Sequence, residues 1–226
     1  MHGDHALTRS ALATRHRIRH ARTALAAPST WRGTLETGKV DDKQDFTLAV
    51  STVMGVEGVV KQELSALGYD GCPVGASGRV ELTGGSKAII DCNLHLRSAT
   101  RVMLVLAQFT ATTFDELFDG TAAIRWADYI HRGAAFPVRG KSVKSTLTSV
   151  PACQSIVKKA IITKLLSADP SRAAANAEGW LQEDARTGLC GVEVSIQKDE
   201  VTISLDTSGD ALHRRGYRSG VLQGGA

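Results

Sequence analysis

Six cations in one short stretch hold most of the chemistry legible in this 226-residue chain: Arg139, Lys141, Lys144, Lys158, Lys159 and Lys164. Between Arg125 and Lys164 there are eight Lys or Arg against a single acid, Asp128, although the whole chain carries 27 basic and 23 acidic side chains. Such side chains neutralise phosphate. The hydroxyls interleaved with them, Ser142, Ser145, Thr146, Thr148 and Ser149, suit phosphate oxygens and ribose 2′-hydroxyls. On an extended run Arg139 and Lys141 share a face and Lys144 takes the opposite one. A helix opening near Ser149 adds free backbone N–H groups that attract anions. Together these describe a phosphate-lined groove for RNA. The competing reading is a solvated face that offsets the acidic segment after it, for residues 165–210 hold nine acids and three bases.

Other chemistries find less support. No paired carboxylates, no nucleophile with its base and no metal-ligand spacing can be read, so neither a catalytic nor a metal-binding residue is assigned. Cys72, Cys92, Cys153 and Cys190 are far apart and form no CxxC pair, which fits buried thiols in a reducing, cytoplasmic compartment. The run TGGSKAII lacks the spacing of GxxxxGK[ST] and of GxGxxG, so its glycines read as helix-capping residues. His95 has no partner pattern and reads as structural. No apolar run approaches the roughly 20 residues needed to cross a bilayer, and no membrane partner is expected. The formal charge of +4 lies wholly in residues 1–44, which hold eight basic and four acidic side chains, while residues 45–226 balance at nineteen each.

The elements that must position the basic stretch follow from periodicity. Residues 1–44 are poor in large apolar side chains and read as a disordered basic tail. Phe46–Thr52 alternates as a strand, Val56–Leu67 has helical spacing closed by Gly68, and Tyr69–Val74 and Arg79–Thr83 read as short strands. Ser86–Arg97 reads as a second helix and Arg101–Ala111 as a strong strand. This βαββαβ order is that of a ferredoxin-like unit, over about 45–110. A second unit opens with a helix carrying Phe114, Leu117, Phe118 and Ile124, and Trp126, Tyr129 and Ile130 form a core stripe. Phe136–Leu147 is extended and Ala152–Leu166 helical. Residues 167–190 form the longest irregular segment. VEVSIQ and VTISLD then make a hairpin turning at Lys198, Asp199 and Glu200, and residues after Asp206 show no period.

Several of these runs carry a resemblance. FTATTFDELFDGTAAIRWADYI, GAAFPVRGKSVKSTLTSVPACQSIVKKAIITKL, VEVSIQKDEVTISLDTSGDALHRRGYR and LRSATRVMLVLAQF together resemble the N-terminal half of THUMP-containing, S-adenosylmethionine-dependent RNA methyltransferases. The likeness is greatest to bacterial enzymes that methylate guanine N2 in large-subunit (23S) ribosomal RNA, and it covers about Phe46 to Arg218. It implies an α/β (α+β) fold, with the ferredoxin-like unit followed by a THUMP domain over 111–208 and a linker over 209–226 toward a methyltransferase domain that this chain lacks. The implied partner is structured RNA, 23S rRNA or a ribosome precursor. S-adenosylmethionine would be the cofactor of full-length relatives, and no cofactor is expected in this chain. Carried over by motif, Lys141, Lys144, Ser145 and Thr146 lie on the RNA face with Lys158 and Lys159 on the adjoining helix. His213, Arg214, Arg215, Tyr217 and Arg218 lie in the segment leading to the catalytic domain. Two alternatives stay open: a THUMP adaptor for tRNA modification, and a ferredoxin-like interaction module that binds no RNA.

Overall fold

The structure, a computed structural model, describes residues 45–75, 78–172, 181 and 183–214. The expected tail, residues 1–44, lies outside these. Strand β1 (Phe46–Thr52) leads into α1 (Glu57–Ala66), which buries Val60 and Leu64 one turn apart and is closed by Gly68 at φ +89°. Then come β2 (Val74–Gly75), β3 (Arg79–Gly84), α2 (Ser86–His95) and β4 (Ala99–Thr110). These pair antiparallel in the order β2-β3-β1-β4, the ferredoxin-like arrangement that the periodicity predicts. The strand expected over Tyr69–Val74 shrinks to two residues, because Gly71 at φ +70° and Pro73 interrupt the extended path and deny it a ladder.

The second unit adds α3 (Phe114–Ala122), a 3-10 turn at Trp126–Asp128, β5 (Ala134–Ala135), β6 (Val138–Val143) and α4 (Val150–Ala168). A further 3-10 turn at Pro170–Arg172 precedes β7 (Asp184–Leu189), β8 (Val192–Gln197) and β9 (Glu200–Asp206). Thr113 caps α3 in a reciprocal box: its hydroxyl accepts from the Glu116 N–H, and Glu116 accepts from the Thr113 N–H. Bonds from the Thr112 N–H and hydroxyl, and then from the Thr113 N–H, hold the Glu116 carboxyl below its usual pKa. Trp126 and Ile130 are fully buried, as the stripe predicts, and the Trp126 indole donates to the Thr121 carbonyl at 2.9 Å.

The segment 167–190 is less irregular than the sequence implies. Strand β7 pairs in parallel with β5. Its sequence DARTGL has no apolar alternation, and its partner lies some fifty residues earlier, so local pattern offers no signal for it.

The two units are continuous. β9 adds to the free edge of β4, from Met103↔Asp206 to Thr110↔Glu200, and β8 and β6 follow, giving one seven-stranded sheet in the order β2-β3-β1-β4-β9-β8-β6. β6 joins β8 in parallel through the α4 crossover. On one face Leu48, Val50, Val102, Leu104, Val194, Ile203 and Leu205 are buried in a single apolar cluster with α1, α2, α3 and α4. Each such side chain contributes roughly 1.5–3 kcal/mol on burial. Among the described residues the opposite face carries no helix. It presents Ala49, Met103 and Val105, flanked by Arg79, Arg101, Arg139, Lys141, Glu193, Ser195, Ser204 and Asp206.

Candidate nucleic-acid interface

The basic stretch occupies the far edge of the sheet. β6 carries Arg139 and Lys141 on the helix-free face, as their spacing predicts. Between them Gly140 faces α4, where an added Cβ would stand 3.0 Å from Gln154 and 3.2 Å from Val150. α4 therefore covers the opposite side of β6. The structure divides the sequence-predicted groove: Arg139 and Lys141 lie on one face of the sheet, and Lys158 and Lys159 on the helix packed against the other.

Each residue has a distinct setting. Lys144 is exposed and takes a left-handed conformation at φ 51°, ending β6. Ser145 and Thr146 are tied to the β8–β9 turn. The Ser145 hydroxyl donates to the Val143 carbonyl at 3.0 Å and accepts from the Asp199 N–H at 3.2 Å. The Thr146 N–H donates to Asp199 Oδ1 at 2.6 Å, and the Thr146 hydroxyl to Asp199 Oδ2 at 3.3 Å. These two hydroxyls thus shape the loop that displays Lys144. The turn itself comprises only Lys198 and Asp199, both at positive φ, with Glu200 already paired to Gln197 in the ladder.

On α4, Lys158 is engaged: Nζ lies 2.8 Å from Glu183 and 5.0 Å from the centroid of the Phe136 ring. Lys159 is exposed. α4 starts after Ser149 with no side-chain cap and Pro151 in its first turn. His213 and Arg214 are exposed just after the sheet, whereas Arg215, Tyr217 and Arg218 lie outside the described residues.

On the helix-free face sequence reasoning missed four partners. Glu193 receives Arg79 and, at 3.7 Å, Lys141. Asp206 receives Arg101 and, at 3.7 Å, Arg139. Burial, then the neighbouring Arg79 charge, holds the Lys141 ammonium below its usual pKa, against the pull of Glu193. Alternation places each side chain on this face, but nothing local tells that strands β3 and β8 approach one another.

In the run TGGSKAII helix α2 begins directly after Gly84 and Gly85, with Gly85 at its N-cap. Gly84 packs so tightly that its Cβ would meet that of Ala88 at 2.6 Å, so the loop is filled by its own helix. No group of three or more His, Cys, Asp or Glu suited to a metal occurs among the described residues, and no described helix is long and apolar enough to cross a membrane.

Residues 47–103 match the family described as the RlmL ferredoxin-like domain, and residues 111–176 match the THUMP domain family. The chain contains an RlmL-type ferredoxin-like domain followed by a THUMP domain. Within the THUMP domain fall Arg139, Lys141, Lys144 and α4, while β7, β8 and β9 follow the matched residues.

The chain is 48% identical over 182 residues to "Putative RNA methyltransferase YpsC" of Bacillus subtilis, covering 80% of this chain and 44% of that protein. It is 30% identical over 182 residues to "Ribosomal RNA large subunit methyltransferase K/L" of a Marinomonas species, covering 80% of this chain and 24% of that protein. Among solved structures, a protein described as a putative methyltransferase complexed with SAH superposes at TM-score 0.69 with 41% identity, over 78% of this chain and 45% of that one. The chain thus spans less than half the length of these relatives. All three are named as methyltransferases or putative methyltransferases, and two of the names specify RNA.

Proposed function

We propose that this chain is the RNA-binding half of a ribosomal RNA (guanine-N2) methyltransferase, capturing structured RNA in the cytoplasm for methylation by a separate catalytic domain. The THUMP domain, exposing Lys144 in the loop before α4 and Lys159 midway along that helix, is the observation that carries this reading. The naming of two relatives as RNA methyltransferases supports it. Affinity in this reading comes from phosphate neutralisation and RNA shape. S-adenosylmethionine would supply the methyl group at the catalytic domain, and the residues described here hold and orient RNA only. His213, Arg214, Arg215, Tyr217 and Arg218 lead from the THUMP domain toward that partner domain.

The test is fluorescence anisotropy of the full chain with a large-subunit ribosomal RNA hairpin, a tRNA and an unrelated duplex across a salt series. Preference for the ribosomal hairpin supports the proposal. A preference for tRNA transfers the same chemistry to a tRNA-modifying system, and the lack of salt-sensitive binding to any of the three overturns RNA capture.

A further inference from the structure

The helix-free face of the sheet is curled into a trough. β3 and β8 are separated in the sheet by β1, β4 and β9, so on a flat sheet Arg79 and Glu193 would stand roughly 19 Å apart, four steps of about 4.8 Å. That exceeds the joint reach of an arginine and a glutamate. Their ion pair therefore requires the two strands to fold toward each other over the strands between them. On the floor beneath lie Ala49, Met103, Val105 and Ser204, all buried although no helix among the described residues covers them.

The charges lining this trough are unbalanced. Glu193 is shared by Arg79 and Lys141, and Asp206 by Arg101 and Arg139. Two of the cations, Arg79 and Arg101, belong to the ferredoxin-like unit, and the other two to the THUMP domain. Glu81 occupies the same face of β3, but its carboxylate turns toward Gly75 on the outer side, where an added Cβ would lie 3.2 Å from it. Among the described residues four cations thus converge on two acids, leaving two positive charges uncompensated in a partly desolvated cleft. Two polar groups also lack a bond. Arg79, 9% exposed, has an Nε–H without an acceptor, and Ser204, 1% exposed, has a hydroxyl without a partner among the described residues. Buried donors of this kind are normally satisfied.

We infer that this trough is a phosphate-binding site for the RNA backbone, built jointly by Arg79, Arg101, Arg139 and Lys141 across the join between the two domains. Phosphate oxygens supply the missing negative charge. The shared carboxylates hold the four cations in place while the site is empty, and Glu193 competes with the incoming phosphate for Arg79 and Lys141. This inference rests on the RNA reading above.

The experiment is RNA anisotropy with the full chain over a salt series, comparing wild type, Glu193→Gln, Arg101→Gln, Arg139→Gln and Lys144→Ala/Lys159→Ala, with circular dichroism to verify folding. A parallel arm follows thermal unfolding with added pyrophosphate, a free anion of the same chemistry. Removing the competing acid is expected to tighten binding roughly fivefold, the effect of one unit charge at about 4 Å in water. Each arginine variant is expected to lower the log–log salt slope by roughly 0.7. Arg139 is exposed enough that its variant tests the trough even if Arg101→Gln does not fold.

If the Lys144/Lys159 variant loses RNA while Glu193→Gln and both arginine variants match wild type, the inference is overturned and RNA capture stands. If pyrophosphate stabilises the chain, more so for Glu193→Gln, and no RNA binds, the trough serves a free anion and both readings fall. The inference is supported when the trough variants shift RNA affinity in the stated directions.

Discussion

Asp199, at the tip of the β8–β9 turn, accepts a hydrogen bond at 2.6 Å from the backbone N–H of Thr146, 53 residues earlier. Its carboxylate also takes the Thr146 hydroxyl, its N–H reaches Ser145, and its carbonyl accepts from the Ala111 N–H at 2.9 Å. One acidic residue thus gathers the start of the THUMP domain, the loop presenting Lys144 and the last hairpin of the sheet. Asp199→Ala removes the acceptor and is expected to cost about 1–2 kcal/mol, the loss of one or two hydrogen bonds. Asp199→Asn, which keeps an acceptor and tolerates the φ of 64°, is expected to cost less than half of that. Urea unfolding midpoints of the two variants give the comparison, and equal midpoints would show that the carboxylate does not hold the loop.

Gly120 lets α3 approach the sheet. An added Cβ would lie 2.4 Å from Cε2 of the Phe109 ring on β4, closer than any real contact. Gly120→Ala is therefore expected to destabilise the fold by about 1–3 kcal/mol through overpacking, despite the better helix propensity of alanine. A Phe109→Leu partner substitution is expected to recover part of the loss. Thermal unfolding of the two single variants and the double variant measures that coupling, and strict additivity would count against the clash.

The cysteines are expected to be unreactive while the chain is folded. Burial, then the Asp91 charge, pushes the Cys92 thiol up to about 12, and burial with Asp206 pushes Cys190 to about 11, from an ordinary 9.0. Well below pH 9 both thiols stay protonated folded or unfolded. Above it the unfolded chain releases protons that the folded chain keeps, so stability falls as pH rises from about 9 toward 11 and 12. Iodoacetamide at pH 8.5 should spare Cys92 and Cys190 in the native chain and label them in urea, read by mass spectrometry of the peptides. Rapid native labelling of Cys92 would contradict its burial.

Lys144 and Lys159 are exposed, whereas Lys158 is already paired with Glu183. Alanine at Lys144 or Lys159 is expected to lower the salt slope of RNA binding by roughly 0.7–0.9 each. Alanine at Lys158 is expected to act mainly through stability, by freeing Glu183 and uncovering Phe136. Anisotropy and unfolding measured on the same three variants separate the two roles, and a larger RNA effect at Lys158 than at Lys144 would reverse this assignment.

Local pattern by itself determined much of this protein. Alternation in FTLAVST, RVMLVLAQ, VEVSIQ and VTISLD specified which side chains enter the core, because a strand buried on one face leaves no freedom of register. Helical spacing in α1 and α4 did the same, and the run of cations against one acid singled out β6 and α4. Only the tertiary structure decided the rest. β7 owes its strand to β5, which precedes it by β6 and α4. Arg139 and Lys141 are parted from Lys158 and Lys159 because α4 crosses on one side of the sheet alone. Arg79 meets Glu193 because seven strands coil toward their open face. Pairing between distant strands and the cumulative twist of a sheet depend on all of its members at once, and no single segment of sequence records either.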